Sequence, residues 1–427
     1  MGNLELTVEK HSQRLHHGLE TLPSLRYGIP AALGNKRWTG ELILATYEQA
    51  LSGEPPRNDL EYRVGDSGGG FDTLGWSNPN GGKKIDEDRI DLSIPLNKRP
   101  EGKRVEIPFP IYGGGMSFGS ISLNFMIARA RAAKRLGTFT CTGEGGYPQQ
   151  LLPFKDHIIT QVATGMFGVR EETIQCAPIV EFKYAQGAKP GLGGHLLADK
   201  VTSEVAKMRE SSVFTSLYSP FPFHSVYSVE DHKKHVDWIK TVNPKALVSV
   251  KVSTPTDVDM VAIGSYYAGA NIIHLDGGYG GTGAAPEIAK KNIAMPIEYA
   301  VPKVHKYLVS EGVRDEIVLI ASGGIRTADD VGKAIALGAD GCVVATAEAV
   351  AVGCTHCGNC ERGRGCQVGI TTTDPELSLL IDPEWGEMRI VNLFNAWTKR
   401  LRQILAKFGL ESIRELRGRT DLLVRHK

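Results

Sequence analysis

The chain of 427 residues contains no apolar run near the roughly 18 residues that cross a bilayer. Its start, MGNLELTVEKHSQ, lacks the basic n-region and apolar h-region of a secretion signal, and Leu6 stands where a myristoylation motif wants Ser or Thr. Membrane insertion and export are disfavoured, and a cytoplasmic location is expected. Surplus charge is missing too. The 49 Lys plus Arg against 48 Asp plus Glu leave a net +1, so no global field gathers a polyanion and no nucleic-acid partner is expected. Cysteine is scarce at 7 residues, too few and too unevenly placed for a disulfide framework. Internal repeats and low-complexity tracts are absent.

What is present is an ordinary globular composition, 41% hydrophobic and 23% charged. Glycine is in excess at 49 residues, against an average usage of about 7%, and most of that excess sits in short clusters. Residues 1–100 are punctuated by turn chemistry: Gly53 to Pro56, DSGGG at Asp66 to Gly70, and NPNGG at Asn78 to Gly82. They read as an extension that wraps a following core. Over 101–350 short β-branched runs alternate with amphipathic segments. Eight strands are expected: Phe109 to Tyr112, Thr138 to Thr142, Ile179 to Lys183, Phe214 to Tyr218, Leu247 to Val252, Asn271 to Leu275, Ile317 to Ala321 and Cys342 to Ala345. The intervening helices include Asn124 to Leu136, Val201 to Glu210, Val229 to Thr241, Val258 to Ala268, and Ala328 to Leu337, the last capped by Thr327 and Asp330 and stopped by Gly338. The fold class is therefore α/β, a (β/α)8 TIM barrel of the usual size, with an open doubly wound sheet as the alternative. A cysteine-rich loop at 351–372 and a C-terminal helical cap over 373–427, containing the basic amphipathic stretch Met388 to Arg417, complete the chain.

In a barrel the active site gathers at the C-terminal ends of the strands. The glycine clusters fall at those ends: GGGMSFGS (Gly113 to Ser120), TGEGG (Thr142 to Gly146), AQGAKPGLGG (Ala185 to Gly194), DGGYGGTGAAP (Asp276 to Pro286), SGGIRT (Ser322 to Thr327) and ATA (Ala345 to Ala347). Each alone is compatible with a plain tight turn. Together they nominate Gly115, Met116, Ser117, Gly281, Thr282 and Gly283 as ligand contacts. Ser322, Gly323, Gly324, Ala345 and Thr346 become a phosphate cradle after strands 7 and 8. Lys251 lies inside the apolar string VSVKVS and must meet an anion or an electron-rich acceptor. In a flavin barrel it would face the N1 and C2 edge of the ring; a core salt bridge is the structural alternative. GGGMSFG is no dinucleotide fingerprint, because no acidic residue follows at the required distance.

Four cysteines, Cys354, Cys357, Cys360 and Cys366, form C-x2-C-x2-C-x5-C, a ligand spacing close to that of cubane-binding ferredoxins. Four thiolates also satisfy structural zinc. The remaining Cys141, Cys176 and Cys342 read as buried small hydrophobes.

The segments GGMSFGSIS, TGEGG, QVATGMFGV, AQGAKPG, SPFPFHSVYSVEDH, GYGGTGAAP, SGGIRTADDV and GCTHCGNCERGRGCQVGITTTDPEL, in this order, resemble the FMN-binding synthase domain of glutamate synthase. The resemblance covers about 110 to 380. It implies a barrel holding FMN with an iron–sulfur cluster beside it, and reductive amination of 2-oxoglutarate to glutamate. It places Lys189 and Arg209 on the keto-acid carboxylates, with Glu144 and Gln186 alongside. The family's 3Fe-4S cluster uses C-x5-C-x4-C; the added Cys357 favours 4Fe-4S here, with 3Fe-4S as the three-cysteine alternative.

Two further departures, Tyr279 where the family has Asp and Phe223 where it has His, leave the substrate pair open. A synthase joining an alkylamine and glutamate, of the N-methylglutamate synthase type, is one alternative. A non-catalytic electron-transfer subunit is another. Full-length relatives begin with a glutaminase domain and end in a β-helix. The expected partners are therefore a glutaminase or amidotransferase subunit, a β-helical GXGXG-type subunit, and a ferredoxin or NADPH-oxidising electron donor, in a hetero-oligomer. The lone chain is expected neither to cleave glutamine nor to bind a nicotinamide.

Overall fold

A computed structural model describes residues 34–56, 70–77, 85–281, 285, 288–290 and 292–426. Eight parallel strands close into a barrel: β1 Ile111–Gly113, β2 Thr140–Glu144, β3 Ile158–Ala163, β4 Ile179–Lys183, β5 Leu247–Ser253, β6 Ile272–Asp276, β7 Val318–Ser322 and β8 Gly341–Val344. Closure is made by β8 against β1, with Cys342 opposite Ile111 and Val344 opposite Gly113. Strands β2 to β7 are buried along almost their whole length. Helices on the outside and a filled barrel inside cover both faces of such a parallel sheet, which is why its strands read as near-continuous apolar runs.

The count of eight strands holds, but one member differs from the sequence reading. Phe214 to Tyr218 is not in the barrel: Phe214 is 72% exposed, and only Leu217–Tyr218 is extended, paired antiparallel with His195–Leu196 outside it. The place is taken by β3, IITQVA. It follows the short 3-10 stretch Gln149–His157 instead of an amphipathic helix, so the strand–helix rhythm that locates the other strands is missing there. Cys141 and Cys342 are buried as expected, whereas Cys176 is only partly so.

Local signals set the helices. Ser122 Oγ accepts from Phe125 N at the start of α1 (Leu123–Leu136), and Gly137 ends it in the left-handed region at φ 69°. Thr327 Oγ1 likewise caps α2 (Ala328–Ala336) through Asp330 N. The long α3 (Pro383–Phe408) starts on Asp382, which accepts from Glu384 N and Trp385 N, with Pro383 in the first turn where its missing N–H costs nothing. It packs on α1 and on the extension helix Gly40–Ser52. At Gly386 a Cβ would come within 2.8 Å of the Ala128 Cβ, so only glycine permits this approach.

A buried ion pair ties α1 to the top of the barrel. Arg129 Nε lies 2.8 Å from Glu348 Oε2, with side chains 1% and 2% exposed, and Arg129 also donates to the carbonyls of Gly114 and Cys141. Arg129→Met leaves the Glu348 carboxylate buried without its cation, which costs about 3–5 kcal/mol. Urea unfolding should show that loss, and adding Glu348→Leu should recover most of it. A single variant as stable as the parent would refute the pairing.

Candidate active site

The strand ends open onto one cavity of about 570 Å³. Its floor is a chain of buried polar groups from the consecutive barrel strands β3 to β7. Gln161 Nε2 donates to Glu181 Oε1 at 2.7 Å, Glu181 Oε2 meets His274 Nδ1 at 3.0 Å, and His274 Nε2 meets Ser322 Oγ at 2.7 Å. Ser322 donates on to Asp276 at 2.6 Å, and Asp276 Oδ2 lies 3.3 Å from Lys251 Nζ. Burial alone would raise the Glu181 carboxyl, but His274, Lys251 and the Gln161 amide hold it down to about 2. Burial opposes the Lys251 charge, yet Asp276 and Glu181 keep it above the ordinary lysine range. Lys251 thus makes the core ion pair and borders the cavity as well.

One wall is glycine-rich. Gly115, Met116, Ser117, Gly281, Ser322, Gly323, Gly324, Ala345 and Thr346 all line it, and Thr282 and Gly283 lie outside the described residues. Gly323 has φ 85°, and a Cβ there would meet the Gly277 carbonyl at 2.4 Å. At Gly281 a Cβ would sit 2.0 Å from Thr346 Oγ1. Backbone is thereby brought to the surface of the cavity near the start of the short helix Thr346–Ala351. This is chemistry suited to a phosphate-bearing cofactor.

The opposite wall carries charge. Glu144, Gln186 and Lys189 line it as the sequence suggests, joined by Lys183 and His195, which the sequence reading did not single out. Lys183 Nζ lies 3.1 Å from Glu144 Oε2, and Lys189 donates to His195 Nδ1 at 2.9 Å. Burial works to raise Glu144, but Lys183, Arg209 and Lys189 outweigh it and keep the carboxylate below its usual range. Arg209 lies against Gly145 and Ser117 beside this wall. It is 3% exposed, stands outside the cavity lining, and gives its Nη2 to Ser117 Oγ at 3.0 Å and Phe118 O at 2.9 Å. Its guanidinium braces the Met116–Ser117 turn from behind. Of the two departures near the substrate end, Tyr279 reaches the cavity beneath Arg37, at 3.2 Å from the guanidinium carbon to the ring centre. Phe223 packs away from it against Tyr184 and Phe182.

Cys354, Cys357, Cys360 and Cys366 all border this same cavity. Burial first, and then the other three cysteines, push Cys354 up to about 12 against the His356 N–H, so by itself this cysteine is held as the neutral thiol, and a metal group would have to supply the positive charge that draws its proton off. The thiols surround one region without converging on a point: among the described residues no three His, Cys, Asp or Glu side chains gather as ligands of a metal ion. The extension completes the enclosure. Trp38 stacks on His356 with ring centres 5.7 Å apart, Asn35 pairs with His356, and Asn35, Arg37, Trp38 and Gly70 line the cavity. No sequence motif announced these contacts.

Fold and site together define a (β/α)8 barrel with a glycine-lined ligand cleft at its strand C-termini and a cysteine loop at its edge. Residues 83–411 match the conserved region in glutamate synthase. The chain is 43% identical over 343 residues to an archaeal glutamate synthase (NADPH) of Methanocaldococcus jannaschii, covering 80% of this chain and 66% of that protein. It is 42% identical over 341 residues to the archaeal-type enzyme of Thermotoga maritima, covering 80% and 67%. The glutamate synthase (NADH) of Schizosaccharomyces pombe is 40% identical over 318 residues, 73% of this chain and 15% of that one. The chain belongs to the glutamate synthase family, and it spans about two thirds of the length of its archaeal relatives. In fold it is similar to a flavocytochrome b2 variant with pyruvate bound (TM-score 0.52, 15% identity, 97% and 91% covered). A lactate oxidase of Pediococcus acidilactici is comparable (0.53, 11%, 98% and 94%).

The charged wall has a pH signature. Burial and the neighbouring Lys183 push Lys189 down to about 8 from 10.5, against the pull of Glu144 and Glu361. Below that pH the lysine is a cation, and above it the charge is lost. Dicarboxylate affinity, measured calorimetrically, should therefore fall as pH rises through about 8, and Lys189→Met should bind weakly with no such step. A step that persists in the variant would assign it to another group. Stability moves the opposite way: between about 8 and 10.5 the unfolded chain holds the extra proton, so this residue's contribution improves with pH.

Proposed function

We propose that this chain is the FMN and iron–sulfur synthase part of a glutamate synthase-type oxidoreductase, reductively aminating 2-oxoglutarate to glutamate. The observation that carries the reading is that one cavity is bordered by a backbone cradle for phosphate, a lysine-rich wall for a dianion, and a four-cysteine loop. The family relationship, with relatives that are named glutamate synthases, supports it. Gly281, Gly323, Gly324 and Thr346 would hold the FMN phosphate, and Lys251 would face the ring. The four cysteines would ligate the cluster. Bound FMN supplies hydride transfer to an imine carbon, and an iron–sulfur cluster supplies single electrons.

The chain's own residues do the rest. Lys183 and Lys189 bind and orient the keto-acid carboxylates. Glu144, kept ionised by its lysine neighbours, fixes those cations and attracts ammonium. Lys189, with its proton loosened by burial, is the group able to hand a proton to the substrate near neutral pH. Arg209 holds the Ser117 turn in place behind them. Ammonia and reducing equivalents come from partner proteins, an amidotransferase-type subunit and a ferredoxin or NADPH-oxidising donor. Tyr279, which lines the cavity where the family has Asp, supports a second reading, a synthase that joins an alkylamine and glutamate.

Protein purified without air should be yellow-brown, with FMN and about four irons and four sulfides per chain. Stoichiometric zinc with no acid-labile sulfide would sink the cluster assignment. Lys189→Ala should abolish reoxidation of the reduced flavin by 2-oxoglutarate plus ammonium while sparing FMN, since losing a charge pair in a dry site costs about 2–5 kcal/mol. Gly324→Val, at φ 113° and 3.2 Å from Tyr279 Cβ, should do the reverse and empty the cofactor site. Unaltered FMN content there would put the phosphate on other strands. If methylamine reoxidises the flavin far faster than ammonium, the alkylamine reading replaces the first.

A further inference from the structure

Lys200 ends the 3-10 turn Ala198–Lys200, in the segment that runs from the Lys189 wall toward the cysteine loop. It is 3% exposed and borders the cavity. Its ammonium donates to the carbonyl of Cys360 at 2.6 Å and of Thr371 at 3.0 Å, one on each side of Cys366. Among the described residues no carboxylate forms an ion pair with it. The neighbouring Asp199 is occupied in accepting from Gly363 N at 2.7 Å, and Glu361 has a side chain 50% exposed, where water screens it. Burial works against its charge and holds it below the ordinary lysine range.

A buried ammonium without a counter-charge is costly, and two carbonyls alone do not need a full charge to bind them. A neutral amide would serve. A lysine has three N–H donors, and two are spent on the loop backbone, leaving one for whatever Cys360 and Cys366 hold. Resting on the cluster reading above, we propose that Lys200 is the fixed counter-ion of the metal group ligated by Cys360 and Cys366, pinning the loop and raising that group's reduction potential. The direction follows because a nearby positive charge stabilises the more negative, reduced state over the oxidised one. The residue acts by charge and position.

The test uses the intact, anaerobically purified protein and measures iron, acid-labile sulfide, FMN and the cluster midpoint by spectroscopic redox titration. Lys200→Gln keeps amide donors for the two carbonyls but removes the charge; Lys200→Arg keeps both. In Lys200→Gln the ratio of reduced to oxidised cluster at a fixed potential should fall at least tenfold, which for a one-electron couple is a downward shift of about 59 mV. Lys200→Arg should restore the parent value. Loss of the cluster in the Gln variant with retention in the Arg variant also supports the counter-ion role. A retained cluster with an unchanged midpoint in Lys200→Gln overturns it, as does loss of the cluster in both variants, which would leave only shape at that position. Absence of iron and sulfide from the parent protein instead fails the cluster reading, and takes this inference with it.

Discussion

Lys251 and Asp276 face each other at 3.3 Å where β5 and β6 leave the barrel, with side chains 10% and 11% exposed. Neither charge could be kept there alone, and the pair is held by a continuous run of partners through Ser322, His274, Glu181 and Gln161. The run crosses from β3 to β7, so it sets the relative height of the strand ends. Asp276 also accepts from Gly187 N at 2.9 Å, which anchors the loop that presents Lys189. Break the pair and the charged wall, the glycine wall and the top of the barrel lose a common reference. Hydrogen-bonded networks of this kind in a low-dielectric interior are costly when incomplete and rigid when satisfied.

Around that core, the enclosure of the cavity is made by segments outside the barrel. The extension supplies Trp38 and Asn35 to His356 and Asp72 to Arg326 at 2.5 Å. The 195–200 segment reaches the cysteine loop at His195, Asp199 and Lys200. Tyr47 donates to the Cys354 carbonyl at 3.4 Å, and Arg389 of α3 donates to the carbonyls of Ala351 and Tyr47. The cysteine loop is thus clamped from three directions. Its backbone, short of regular structure, is satisfied by long-range donors and acceptors instead, as buried backbone requires.

The consequence for chemistry is a division of labour by wall. Glycines admit a backbone approach on one side, and lysines fix anions on the other. The cysteine loop closes the edge. Lys189 and Lys200 both lie on the single stretch between β4 and the helix Ser203–Arg209. One presents its ammonium to the charged wall and the other to the cysteine loop, so a shift of this stretch would move both.

Much of this was legible in the chain itself, for a physical reason: the signals were local. Thr327 with Asp330 declares a helix start within one turn, and glycine clusters after β-branched runs declare strand ends that must approach something closely. From those, the eight-stranded barrel, the cavity lining from Gly115 to Thr346 and the four-cysteine loop all follow. Tertiary structure alone decided the rest. β3 was hidden because no amphipathic helix frames it. Arg209 was tied to the segment after β1 by Ser117 and Phe118, 92 and 91 residues away. Lys183 gained its meaning from Glu144 on a strand two positions round the barrel, and Lys200 from carbonyls 160 and 171 residues distant. A side chain's propensity is written in its neighbours along the chain, but its partner is chosen by closure of the barrel, and no local pattern carries that information.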